Sequence, residues 1–393
     1  MSRYALGKEP ACTGNSPTCL KIIRHRGSAL CPECSKFARR NTAVVPDLTI
    51  TQSLAIDRQR TAERAELTSL RNRYKESLTT IDMLEAELSM AQAINAHDIN
   101  PIEITPSVGT KRVNEATAVL VLSDWHSEEI VNPATLNNKN EHSIEIHQLR
   151  QNRLWDKALK LIHLIEEGVE IPTIVLALLG DFISNEIHDA DSAENNALKP
   201  IDAMMLVENE LAGGINFLLE HTSSNLIIDC HSGNHARTTK KVRIASEAGH
   251  SLEYYAYSHL ARLFAREPRV TFRVNEGYHS FLDIYNVRVR LHHGHAIKYN
   301  GGVGGLTIPA NKAIAQWNKE MVDERAPNLD IFGHYHQAFD GGNFVCNGSM
   351  IGYNAFAKFI KAGYEPPKQM LLVIDKKHGR TCTWPIYVQP TKE

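Results

Sequence analysis

The sequence contains no apolar run near the roughly 20 residues needed to cross a bilayer, which argues against a helical membrane protein. Its opening residues, Met-Ser-Arg-Tyr-Ala-Leu-Gly-Lys, have no signal-peptide core. Cysteine is scarce and unevenly spread: seven in 393 residues, four of them within 12–34, which does not make a disulfide framework. Cys230, Cys346 and Cys382 read as small core residues. Together these absences make a reducing cytoplasm the expected compartment. The Gly-x-x-x-x-Gly-Lys-Ser/Thr order of a phosphate-cradling loop is also missing, so Gly301, Gly302, Gly304 and Gly305 read as a lid or linker. The net charge of −2 says nothing about partners, so any charge preference must come from its distribution.

That distribution is uneven. Residues 1–46 carry Arg3, Lys8, Lys21, Arg24, Arg26, Lys36, Arg39 and Arg40 against only Glu9 and Glu33. The same segment holds Cys12, Cys19 and the run Cys31-Pro-Glu-Cys34. Four thiolates make a closed structural zinc site, with His25 as a spare ligand, and the alternative is a set of unligated thiols. Basic residues around such a knuckle point to DNA or RNA contact and are also compatible with protein docking. Residues 51–97 lack Gly and Pro and read as one long helix. In it Leu67, Tyr74, Ile81 and Leu88 recur every seventh position, with Leu70, Ser77, Leu84 and Ala91 between them. This is a weak coiled-coil seam, hence a route to a homo-oligomer, unless the helix packs on its own catalytic domain. Residues 98–114, with Pro101, Pro106 and Gly109, mark a linker.

From residue 115 to 393 the pattern alternates strand and helix. Short β-branched runs at 118–122, 173–179, 225–229, 287–291 and 329–332 are separated by helical stretches near 144–168, 202–221 and 246–266. The alternation predicts an α/β domain with much parallel sheet, and 342–346, 370–375 and 381–388 predict further strands.

Each main run ends in residues of metal-binding type: Ser-Asp124-Trp-His126, Gly-Asp181, Ser-Gly-Asn234-His235, His-His293-Gly-His295 and Gly-His334-Tyr-His336. Strand ends are where open α/β sheets place ligand sites, and alternate residues of an extended strand point the same way. Two divalent ions close together need a bridging carboxylate, for which Asp181 is suited, with nitrogen and oxygen donors around it. Such a mixed set suits Mn, Fe, Zn or Co, with Mn favoured, and disfavours thiolate-selective metals. His292 reads as a core or hydrogen-bonding residue facing away from His293, and His295 shares the face of His293 as a supporting residue.

The ordered set resembles the calcineurin-like metallophosphoesterase superfamily over about residues 117–350. That resemblance implies a four-layer sandwich of two mixed β-sheets flanked by helices, with a dinuclear metal centre at the strand ends. It implies that Asp124, His126, Asp181 and His336 hold one ion, that Asp181, Asn234, His293 and His334 hold the other, and that His235 contacts the phosphoryl oxygen and assists the leaving group. The segments Gly-Asp-Phe-Ile-Ser-Asn-Glu-Ile-His188, Gly-Asn-His-Ala-Arg237 and Val-Cys-Asn347-Gly-Ser349-Met-Ile-Gly-Tyr353 are similar to phosphoesterases encoded by tailed bacteriophages, which would place the protein in the host cytoplasm. Many phosphoprotein phosphatases carry Asp where Ser184 stands and Glu where Ala236 stands. The usual carboxylate partner of His235 is therefore missing, and His188 or Asp189 is the candidate substitute. Arg237 either reaches a phosphoryl oxygen or is a solvated surface residue. The expected activity is hydrolysis of phosphate esters by hydroxide held between the ions, with a phosphodiester (nucleic acid) slightly favoured. The alternatives are a phosphomonoesterase or nucleotide phosphatase, and a non-catalytic scaffold that binds DNA or a partner.

Overall fold

Alternate residues of one strand show how the domain is layered. In β2 (Glu115–Leu122) every residue is buried. Ala116, Ala118, Leu120 and Leu122 join a core shared with helices, whereas Val119 and Val121 join a second core. A strand buried on both faces must lie between two covering layers. The computed structural model describes Cys34 and residues 50–94, 102–105, 114–187, 195–243, 246–299, 305–321, 325–359 and 361–389.

Two mixed six-stranded sheets form the centre of an α/β sandwich. In the first, β2 pairs in parallel with β3 (Glu170–Leu178), β3 with β4 (Asn225–Cys230) and β4 with β5 (Val270–Val274). The antiparallel pair β11 (Lys368–Asp375) and β12 (Gly379–Tyr387) completes it beside β2. The second sheet contains β1 (Ile102–Ile104), β6 (Ser280–Ile284), β7 (Val287–Leu291), β8 (Leu329–Phe332), β10 (Phe344–Cys346) and β9 (Phe339–Asp340), in that order. Val119, Val121, Val175 and Leu372 of the first sheet meet Leu282, Val289, Ile331 and Val345 of the second in one apolar layer.

Helices cover both outer faces. Against the first sheet lie α2 (Ile144–Glu166), α3 (Pro200–His221) and α4 (Leu252–Leu263), through Leu154, Trp155, Val207, Leu211, Ala256 and Leu260. Against the second sheet, Ala310 and Ile314 of α5 (Thr307–Glu320) pack on Phe332, Phe344 and Cys346. Ser143 and Ser251 cap α2 and α4 by accepting from Ile146 N–H and Tyr254 N–H at 3.3 Å each.

Two differences from the sequence reading concern organisation. The segment 98–114, read as a linker, contains β1, whose Ile-Glu-Ile pairs in parallel with β6 at the sheet edge. Strands β5 and β6 and helix α5 also form where the sequence pattern named no element; α5 begins two residues after Gly305, and 301–304 lie outside the described residues. Cys12, Cys19 and Cys31 are outside the described residues too, while Cys34 is buried.

The chain divides into two units, Met1–Asp82 and Met83–Glu393. Helix α1 (Ile50–Ile94) begins in the first and ends in the second. Its heptad residues Leu67, Leu70, Tyr74, Ile81 and Leu84 are all exposed. Among the described residues no helix is long and apolar enough to cross a membrane.

Candidate metal centre

The sheet registers bring the five fragments together. Leu122 of β2 is level with Leu178 of β3, which is level with Cys230 of β4, so these parallel strands end flush. In the second sheet Leu291 of β7 is level with Ile331 of β8. The loops leaving these ends are then tied across: Asp124 N–H donates to Gly180 O at 2.9 Å, and Gly333 N–H to His293 O at 2.8 Å. The His334 N–H reaches the Asp124 carboxylate at 3.0 Å and joins the two sheets.

Convergence of the side chains does not come from strand alternation, as the sequence had implied. Asp124, His126, Asp181, His334 and His336 all lie beyond their strands, in the left-handed region, with φ of 56°, 46°, 55°, 72° and 55°. Asp and His tolerate that region better than most residues, yet each such residue costs about 1–3 kcal/mol. Two glycine positions make the tight approach feasible. A Cβ on Gly180 (φ +83°) would lie 2.1 Å from Gly233 N, and one on Gly333 would lie 2.3 Å from Asp124 Oδ2.

Two ligand groups result. Nitrogen and carboxylate atoms of Asp124, His126 and His336 converge in one, and those of Asp181, His293 and His334 in the other, with His126, Asp181 and His235 forming an overlapping set between them. His126 Nε2 lies 3.1 Å from His336 Nε2, and His336 Nε2 lies 3.5 Å from Asp124 Oδ1. His293 Nε2 faces both Asp181 Oδ2 at 2.9 Å and Asn234 Oδ1 at 3.1 Å.

Hydrogen bonds behind the rings aim them. His293 Nδ1–H donates to Leu179 O at 2.6 Å, and His126 Nδ1–H to the Ser184 hydroxyl at 2.8 Å, which turns both Nε2 atoms toward the centre. The Ser184 hydroxyl in turn donates to Glu129 at 3.0 Å. His235 Nδ1–H donates to the Ser184 carbonyl at 3.0 Å, and its Nε2 faces Asp181 Oδ2 at 4.0 Å. A main-chain carbonyl thus accepts from the ring nitrogen of His235 opposite the one that faces Asp181. His188 and Asp189 lie outside the described residues.

The electrostatics fit a cationic group. Asp124, Asp181, Glu128 and Glu253 are all essentially buried around the site. Burial opposes ionisation of Asp181, yet His293 and His235 hold it well below the usual carboxylate range. Burial would lower His293, but Asp181 outweighs it and raises the imidazole to about 10. His336 is also raised, burial being overcome by Asp124. Burial, then neighbouring imidazoles, push His126 far down and His334 to about 3. The upward shifts of His293 and His336 both come from buried carboxylate charge, which favours a cationic group at the site. The donors are carboxylate, imidazole and amide, a set that fits a divalent metal ion.

Other named residues take structural places. The Arg237 side chain is not a solvated surface group: its guanidinium donates to Asn234 O, to Thr239 O at 3.1 Å and to Lys240 O at 3.4 Å. His292 stacks on Phe332 with ring centroids 5.1 Å apart. His295 lies 5.4 Å from His293 ring to ring, and its Nε2 is 4.0 Å from Glu247. Asn347 is buried and donates to Ser123 Oγ at 2.9 Å, beneath Asp124, so its Asn-Gly-Ser sequence serves the site's support.

Three supporting residues escaped the sequence reading. Glu128 accepts from Ser184 N–H and Asn185 N–H, both at 2.8 Å. Asn185 donates to His235 O at 2.8 Å and Arg237 O at 2.9 Å. Glu253 joins the Asp181 and Asn234 loops.

No family model matches the sequence, and no curated protein matches it. Solved structures similar to this chain include a conserved protein from Streptococcus pneumoniae titled a predicted phosphoesterase, 9% identical over 69% of this chain and 98% of that one, at TM-score 0.26. Vps29 of Chaetomium thermophilum is 12% identical over 70% of this chain and 98% of its own, at TM-score 0.26. The phosphopantetheinyl hydrolase of Mycobacterium tuberculosis is 11% identical over 60% of this chain and 91% of its own, at TM-score 0.25.

Proposed function

We propose that the protein is a dinuclear metal-dependent phosphoesterase. The observation that carries this reading is the pair of ligand groups linked by a third set, which shares His126 with one and Asp181 with the other. Asp124, His126, Asp181 and His336 would hold one ion, and Asp181, Asn234, His293 and His334 the other. When bound, two such cations supply an activated water and neutralise charge that develops on phosphoryl oxygens. The chain's own groups do the rest. Leu179 O and Ser184 Oγ fix the ring orientations of His293 and His126. His235, a quarter exposed with Nε2 toward the site, is placed to donate to a phosphoryl or leaving-group oxygen.

A phosphodiester of nucleic acid is the favoured substrate. The basic segment 1–46 supports it as a polyanion contact, as do Ser184 and Ala236 at positions where phosphoprotein phosphatases carry acids. In the same reading Cys12, Cys19, Cys31 and Cys34 bind a structural zinc, and the exposed heptad face of α1 pairs with a second copy. Mn-dependent hydrolysis of a phosphodiester, a phosphomonoester, and single- and double-stranded DNA tests the function, with Asp181→Ala and His235→Ala as controls. Turnover of the diester or DNA that both variants lose is the expected result. Turnover of the monoester alone removes the nuclease preference, and no metal-dependent turnover on any substrate favours a binding scaffold.

A further inference from the structure

We propose that Glu253 is a positioning residue of the metal centre, setting the spacing between the Asp181 and Asn234 loops and hence the affinity for the ion those residues would share. The proposal rests on the dinuclear reading above.

Glu253 lies in the first turn of α4 with its side chain wholly buried. One carboxylate oxygen accepts from Phe182 N–H at 2.8 Å and the other from Gly233 N–H at 2.7 Å. Phe182 follows Asp181, and Gly233 precedes Asn234. A single rigid group therefore grips the neighbours of two ligands that come from different strands. The β3–β4 ladder explains why such a grip is needed. Its pairing ends at Leu178 and Cys230, and His231 N–H makes one last bond to Leu178 O at 2.7 Å. Beyond that point, among the described residues, Glu253 is the acceptor of the N–H groups of Phe182 and Gly233, and buried N–H groups left unsatisfied are costly.

Shape excludes most substitutes. Gly180 and Gly233 are in backbone contact, and a Cβ on Gly233 would lie 2.1 Å from Asp181 Oδ1, so no side chain at either of these two positions can fill the role. Both partners are donors, so both ends of the gripping group must accept. A carboxylate meets that demand, and an amide would set its NH₂ against one N–H. The Asp181 side chain completes the tie by accepting from His235 N–H at 2.7 Å. A shift of the Gly233 turn would thus move Asn234 and His235 relative to Asp181 together.

Calorimetric titration of Mn²⁺ into the metal-free full chain, with EPR of the loaded protein, tests the proposal. The wild type is expected to take up two ions and to show the exchange-coupled signal of a Mn pair. Glu253→Gln is expected to keep the wild-type circular dichroism, bind one ion about 10–100-fold more weakly, bind the other as before, and show isolated Mn²⁺ in place of the coupled signal. A folded variant with wild-type affinities and the coupled signal overturns the proposal. A wild type that takes up no Mn²⁺ overturns the dinuclear reading itself, so the two failures are distinguishable. Should Glu253→Gln not fold, amide exchange in the wild type decides. By linkage, Mn²⁺ should slow exchange at Phe182 and Gly233 on the order of tenfold, and unchanged exchange in protein that binds the ions overturns the proposal.

Discussion

The two ligand groups differ in what holds their imidazoles. Around Asp181, His293 is fully buried and leans on the main-chain carbonyl of Leu179. Around Asp124, His126 leans on the Ser184 hydroxyl, which leans on Glu129, which accepts from Asn354 at 2.9 Å. His336 in that group is also 22% exposed. A carbonyl is present whatever the side chain, whereas a relay of three side chains fails if one is lost. The Asp124 group is therefore the softer half, the one expected to bind its ion more weakly and to exchange it first.

The largest expected effect erases the comparison. Asp181→Asn should lower metal uptake at both groups and cut turnover on the order of 10³-fold or more, the scale of losing several kcal/mol of charge stabilisation. Metal analysis beside the assay checks it, and a variant that keeps both ions and full activity removes Asp181 as the bridge. His235→Ala separates chemistry from metal holding: kcat should fall about 10²–10⁴-fold while metal content stays as in the wild type. A loss of metal in that variant would make His235 a ligand instead.

Ser184→Ala bears on the asymmetry directly. It should weaken uptake at the Asp124 group about 10–100-fold and leave the Asp181 group as it is, read by titration with Mn²⁺. Equal weakening at both groups would mean that the halves are not held independently.

The smallest effect concerns pH. Burial raises Glu247 to about 8 and Glu128 to about 7, from an ordinary 4.5. Above about pH 7 the buried histidines held below their ordinary value, His126 and His334 among them, are neutral in both states, and the folded state binds more protons than the unfolded one at Glu247, Glu128 and the raised His293. The stability these three groups give is full below their unfolded values and is lost as pH rises through their folded ones. The metal-free protein should melt a few degrees lower at pH 8 than at pH 7, at about 2–4 °C per kcal/mol for a domain of 150–250 residues. Cations beside Asp181 should flatten that slope. A melting temperature that climbs from pH 7 to pH 8 without metal would contradict it.

Much of the site could be read in the sequence because its ligands fall in short fragments at the ends of apolar runs. The runs themselves announce the sheets, and the order of the fragments follows the strands. What stayed hidden depends on residues far apart in the chain. Glu253 stands at the start of a helix, where an acid is expected for the helix dipole alone, and nothing local ties it to Phe182 or Gly233. Ser184 was visible only as a departure, since a main-chain carbonyl that receives His235 leaves no mark on residue type. β1 is three residues between prolines, too short for periodicity to reveal. The left-handed turns were hidden because Asp and His, unlike glycine, do not advertise them.

Those turns carry a cost when the site is empty. His334, held at a φ of 72°, faces the imidazoles of His293 and His295. Glycine adopts that backbone without penalty, against an entropic cost of about 0.5–1 kcal/mol. His334→Gly should therefore melt higher than the wild type without metal and lower than it with Mn²⁺. Selection for thermal tolerance alone, with no demand for turnover, would dismantle this centre one histidine at a time.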